Sequence, residues 1–103
     1  MQIDVAGKRV VVAGGSKGIG RSIALAFAAG GAAVSICARN AEALEKTRAE
    51  LAACGGTVHA GACDLADEAQ VAAYISGAAA ALGGIDVLVN NATGYGYADD
   101  EAS

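Results

Sequence analysis

The stretch Val10-Val11-Val12-Ala13-Gly14-Gly15-Ser16-Lys17-Gly18-Ile19-Gly20 constrains the fold more than any other part of the chain. An apolar run that passes straight into glycines spaced G-x-x-x-G-x-G reads as a buried strand, a tight turn and the opening of a helix. Gly14 permits the turn, Gly18 keeps a side chain out of the space in front of the backbone, and Gly20 lets the new helix lie close to the sheet. Backbone N–H groups at such a turn can hold a pyrophosphate, so the segment is a candidate dinucleotide site. The spacing differs from the G-x-G-x-x-G fingerprint, and the rest of the chain has to supply the context.

That context is a repeated alternation of strand and helix. Ile19, Ile23 and Phe27 recur at helical spacing, and Gly30-Gly31 closes the helix with residues able to take positive φ. A second strand, Ala32 to Ala38, leads to Asn40, an N-cap residue for a helix with Leu44 and Leu51 on one face. Glu42 and Lys46 form an i,i+4 pair on it. Gly55-Gly56 ends this helix, and Thr57 to Ala62 reads as a third strand leading into Cys63-Asp64-Leu65. Asp67, with Gln70 three residues on, resembles a capping box; Val71, Ile75, Ala78 and Leu82 mark the apolar stripe of a third helix. After Gly83-Gly84 comes a fourth strand, Ile85 to Val89, ending at Asn90-Asn91-Ala92-Thr93-Gly94. The order βαβαβαβ with right-handed crossovers predicts an α/β, Rossmann-type parallel sheet, helices on both faces, with strand order 3-2-1-4. The ligand crevice then lies at the carboxyl ends of the first and fourth strands, where the unusual glycine and polar segments converge.

Composition supports this and excludes several alternatives. In 103 residues, one domain at most, 54% are hydrophobic, with one Phe, no Trp and no Pro. A core of Ala, Val, Ile and Leu suits a parallel sheet covered by helices. The net charge of -4 and the scatter of seven Lys and Arg argue against a nucleic-acid or anionic-membrane binder. Cys37, Cys54 and Cys63 are odd in number and lack C-x-x-C spacing, which fits reduced thiols acting as small hydrophobes. Met1-Gln2-Ile3-Asp4 is not a secretory leader and no run approaches the ~18 apolar residues of a membrane span, so a cytoplasmic protein is expected. His59 has no sequence neighbours suggestive of nucleophilic catalysis and reads as structural or surface; metal-ligand spacing is absent.

These segments, in order, resemble the N-terminal portion of a classical short-chain dehydrogenase/reductase. The family's T-G-x-x-x-G-x-G loop appears as Ala13-Gly14-Gly15-Ser16-Lys17-Gly18-Ile19-Gly20, with Ala13 in place of Thr. Its acidic residue beside the adenine matches Asp64 of Cys63-Asp64-Leu65, and its N-N-A-G appears as Asn90-Asn91-Ala92-Thr93 with the glycine delayed to Gly94. The resemblance covers residues 1–94 and leaves 95–103 as a loop or frayed end. It implies that the 103 residues are a truncated, partial NAD(P)-binding domain, and that a full-length chain would be a homo-oligomer.

Implied roles follow residue by residue. Ser16 and Lys17 stand where a hydroxyl and a cation meet phosphate oxygens; a plain solvent-facing turn is the alternative. Gly14, Gly18, Ile19 and Gly20 complete the loop. Asp64, with Leu65, lies beside the adenine or serves only as a helix cap, and both can hold. Asn91, Ala92 and Thr93 border the ribose side, while Asn90 braces the sheet. The choice of cofactor falls to the end of the second strand, where a carboxylate about 20 residues beyond the glycines would bond a ribose 2′-hydroxyl. Ala38 stands there instead, followed by Arg39 and Asn40. Arg39 pairs with a 2′-phosphate and Lys17 reaches the same charge, so NADP(H) is favoured over NAD(H).

The family transfers hydride between a nicotinamide and a small-molecule carbonyl or alcohol with a Tyr-x-x-x-Lys pair, the Lys lowering the Tyr pKa from about 10. Here Tyr74 is followed at that spacing by Ala78, Tyr95 by Asp99 and Tyr97 by Glu101. No catalytic residue is therefore assigned. Two readings stay open: the cofactor-binding portion of an NADP(H)-dependent oxidoreductase, or a non-catalytic dinucleotide-binding module.

Overall fold

A computed structural model describes residues 4–91 of the chain. Four strands, β1 (Arg9–Ala13), β2 (Ala33–Ala38), β3 (Val58–Ala62) and β4 (Val87–Asn90), alternate with helices α1 (Gly18–Ala29), α2 (Ala41–Ala52) and α3 (Glu68–Leu82). The strands pair in parallel in the order β3-β2-β1-β4, the Rossmann-type arrangement predicted from the crossovers.

Alternation along the strands builds two cores. Val10 and Val12 of β1, with Val34, Ile36 and Ala38 of β2, face α1 and α2, where Ala24, Ala28, Leu44 and Leu51 cover them. Val11 and Cys37 point the other way, toward Tyr74, Ala78 and Leu82 of α3. β1 and β2 are buried on both faces, which explains why they read as unbroken apolar runs.

The helix stripes differ from the expectation in one instructive way. α1 lays Gly20, Ala24 and Ala28 against the sheet, while Ile23 and Phe27 are half-buried at the flanks and Ile19 is 72% exposed. Small residues take the buried ridge because the helix approaches the sheet closely; the larger side chains are displaced one position around it. On α3, Tyr74 joins Ala78 and Leu82 in the buried row, and Val71 and Ile75 pack at its border. Gly61 makes room for that ring, since a Cβ there would lie 2.8 Å from Tyr74 Cδ1.

Helix ends follow capping chemistry. Asn40 accepts from the Ala43 N–H at 2.9 Å, a bond worth about 1 kcal/mol. Asp67 accepts from Ala69 and Gln70, but Gln70 does not return the bond to Asp67's own N–H; its Oε1 accepts instead from the Asp64 N–H at 2.9 Å. The box thus spans the turn before α3 rather than closing on itself. At the end of α1, Gly30 keeps φ at -83° and only Gly31 takes the left-handed conformation, at +93°.

Candidate functional site

Parallel register brings the carboxyl ends of the strands to one rim. Ala13 pairs with Cys37 on one side and with Asn90 on the other, and Ala38 pairs with Ala62. The residues that follow each strand, Gly14, Arg39, Asp64 and Asn91, therefore leave the sheet along the same edge.

The glycine turn is built from this rim upward. Gly14 has φ +83° and Gly18 φ +58°, conformations that favour glycine. The Gly14 and Gly15 N–H groups both donate to the Cys37 carbonyl, at 2.9 and 3.2 Å, so they tie the turn to β2 and are not offered to a ligand. A Cβ on Gly20 would collide with the Gly14 carbonyl oxygen and stand 2.8 Å from Asn91 Nδ2; the close approach that glycine permits there is to the turn itself. In front of Gly18 a Cβ would meet nothing within 4 Å, which leaves the backbone open on that side.

Ser16 is the chemically unusual member. It is 4% exposed, and its Oγ has no hydrogen-bond partner among the described residues. An unsatisfied buried hydroxyl costs about 1–3 kcal/mol, so such groups are rare and call for a reason. Lys17 follows as the N-cap of α1 in extended backbone, contributes no side-chain cap, and is exposed. The opening N–H groups of α1 thus lie without a side-chain acceptor beside an unpartnered hydroxyl and a cation. Exposed Ile19 stands next to them. This donor set, with the open space before Gly18, fits a phosphate or pyrophosphate.

The remaining candidates divide by what already occupies them. Arg39 and Asn40 are exposed at the end of β2, and the Asn40 side chain is committed to capping α2. Asp64 closes a turn by accepting from the Ala66 N–H at 3.0 Å, and its carbonyl accepts from Asp67. The cap of α3 is Asp67, which corrects the reading of Asp64 as a helix cap. Leu65 is half-buried against the α3-side core. Asn91 donates from its N–H to Ala13 at 3.0 Å and from Nδ2 to Gly14 at 3.3 Å, so it braces β1 and its turn directly. Ala92 and Thr93, with Gly94, Tyr95, Tyr97 and the 95–103 segment, lie outside the described residues.

Burial pushes the Cys37 thiol up to about 11, so the wall behind the turn is neutral at physiological pH. Three contacts were invisible in the sequence. Thr47 of α2 donates to the Ser16 carbonyl at 3.1 Å, and Ser35 of β2 joins His59 Nδ1 at 2.8 Å and the Tyr74 hydroxyl at 2.5 Å. His59 also stacks on Tyr74, with ring centroids 5.8 Å apart, giving it a structural place between β3 and α3. Among the described residues there is no cluster of three or more metal-ligating side chains, and no helix is long and apolar enough to cross a membrane.

A parallel sheet of this order, with a glycine turn at its central crossover and an uncapped helix start beside a buried hydroxyl, defines a Rossmann-type phosphate-binding domain. Residues 8–102 match the short chain dehydrogenase family, and the chain belongs to it. It is 39% identical over 90 residues to a 7alpha-hydroxysteroid dehydrogenase of Escherichia coli K12, covering 87% of this chain and 35% of that protein. A short chain dehydrogenase from Burkholderia cenocepacia, solved in complex with NADP, superposes with a TM-score of 0.82 at 42% identity, over 87% of this chain and 37% of that one. A 7 alpha-hydroxysteroid dehydrogenase complexed with NADH and 7-oxo glycochenodeoxycholic acid gives 0.80 at 36% identity, over 84% and 34%. The chain spans about a third of the length of such curated relatives.

Proposed function

We propose that the chain is the cofactor-binding portion of an NADP(H)-dependent oxidoreductase that interconverts a small-molecule carbonyl and an alcohol by hydride transfer. The observation that carries this reading is the buried, unpartnered Ser16 Oγ at the uncapped start of α1. A phosphate oxygen there would satisfy the hydroxyl and the first helical N–H groups together, with Lys17 supplying charge. Gly14, Gly18, Ile19 and Gly20 shape the loop; Asp64 and Leu65 border the adenine; Asn91, Ala92 and Thr93 border the ribose. The relatives captured with NADP and with NADH support a nicotinamide dinucleotide as the ligand class.

Preference for NADP(H) rests on Ala38 and Arg39. The end of β2 carries no carboxylate to repel a 2′-phosphate, and a guanidinium stands next in sequence. Hydride transfer itself needs the Tyr-Lys pair, which is not among these 103 residues. The whole protein would act in the cytoplasm as a homo-oligomer.

Titration of the 103-residue chain with NADPH and NADH, followed by nicotinamide fluorescence, tests the reading. Saturable binding with NADPH the tighter ligand is the expected result. Tighter NADH binding would overturn the preference, and binding of neither would overturn the site. A longer form of the protein that binds NADPH yet oxidises it with no ketone would favour the non-catalytic module.

A further inference from the structure

Helix α2 holds the glycine turn at one point and the first turn of α1 at another. Thr47, 1% exposed, donates from Oγ1 to the Ser16 carbonyl at 3.1 Å. Three residues on, Glu50 takes Arg21 in a two-point pair, Nε to Oε1 at 2.9 Å and Nη2 to Oε2 at 2.7 Å. Helical residues three apart share a face, so one face of α2 holds both ends of the Lys17–Gly20 segment. The same helix starts at Ala41, immediately after Arg39 and its cap Asn40.

We propose that Thr47 is a positioning residue for the 2′-phosphate end of the dinucleotide site; this inference rests on the reading of that site given above. The Ser16 carbonyl and the Lys17 N–H belong to one peptide plane, and in a trans peptide they point in opposite directions. Anchoring the carbonyl on Thr47 therefore turns the Lys17 N–H away from α2 and holds the plane on which Ser16 and Lys17 are mounted. Because Arg39 leads into the helix that carries Thr47, the bond sets the spacing between Ser16-Lys17 on one side and Arg39 on the other. A ligand group that must touch both sides then finds them preorganised. The Arg21–Glu50 pair is half-buried and partly accessible to salt, whereas the Thr47 bond is buried and screened from it.

The test compares Thr47→Val, which keeps the shape and removes the donor, with Thr47→Ser, which keeps the donor and removes a buried methyl. NADPH and NADH dissociation constants are measured for each chain, together with hydrogen exchange at the Lys17 amide without cofactor. Thr47→Val is expected to weaken NADPH about tenfold, the equivalent of about 1.4 kcal/mol, and NADH by less than about threefold. Its Lys17 amide exchanges faster than in the parent. Thr47→Ser keeps the NADPH constant within about twofold despite a lower melting temperature. Parent-like NADPH binding by Thr47→Val, or an equal loss in Thr47→Ser, overturns the proposal. If Thr47→Val does not fold, the Thr47→Ser constant decides: a value within about twofold of the parent supports the proposal, and a loss of about tenfold overturns it. An unchanged Lys17 exchange rate in Thr47→Val overturns the brace alone, whereas a parent chain that binds neither nucleotide overturns the site reading.

Discussion

Arg9 and Asp86 meet in a two-point pair at the rim of the sheet opposite the glycine turn, Nε to Oδ2 at 2.9 Å and Nη2 to Oδ1 at 3.0 Å. Arg9 also donates from Nη1 to the Gly83 carbonyl at 2.6 Å, and its own N–H reaches Asp86 Oδ2 at 2.9 Å. One side chain thus joins the start of β1 to the end of α3 and the start of β4.

Hydrogen bonds from the Arg9 guanidinium, and then from the Arg9 backbone N–H, lower the Asp86 carboxyl to about 2. A carboxylate depressed in the fold contributes stability above its unfolded value, and that contribution is lost as pH falls through the folded one. The window is therefore between about 4 and about 2. An NMR titration should find Asp86 still ionised at pH 3, and a midpoint near 4 would disprove the pairing in solution.

Ser16→Ala separates the cost of the orphaned hydroxyl from its use. Removing an unsatisfied buried donor should leave urea stability unchanged or raise it by about 1 kcal/mol. The same change should weaken NADPH by about tenfold or more, since hydrogen bonds to charged groups contribute about 1.5–3 kcal/mol. Loss of stability with unaltered binding would mean that Ser16 Oγ serves the fold.

Arg39→Asp places a carboxylate beside the position from which a 2′-phosphate would be repelled. The NADPH to NADH affinity ratio should invert; an unchanged ratio would remove Arg39 from the account of cofactor choice.

Ser35→Ala cuts the bridge between His59 and Tyr74. Both partners then lose a bond in a place where Ser35 itself is fully buried, and urea unfolding should show about 1–3 kcal/mol of destabilisation. Because the bridge lies on the α3 side of the sheet, NADPH affinity measured on the folded fraction should not change.

What was legible in the sequence was local or periodic. The apolar runs of β1 and β2, the caps Asn40 and Asp67, and the order of the sheet all follow from patterns within one element or one crossover. The α1 stripe misled because weighting by size favours Ile19 and Phe27, whereas close packing selected Gly20, Ala24 and Ala28. Thr47 with Ser16, 31 residues apart, and Ser35 with Tyr74, 39 apart, come together only through the crossovers, and no spacing rule announces such pairs. Gly14 was legible as the turn residue and Gly18 as open backbone, but not the donation of the Gly14 and Gly15 amides to Cys37.

The common rim at the strand ends has an evolutionary consequence. The side chains proposed to choose the ligand, Ser16, Lys17, Arg39 and Asp64, stand after strands rather than within them, while the two cores are built from strand interiors and helix ridges. Recognition and foldedness are thereby written in nearly separate sets of codons. A lineage carrying this fold can drift from one nucleotide to another by exchanging rim residues, with the inherited scaffold passing unchanged between descendants.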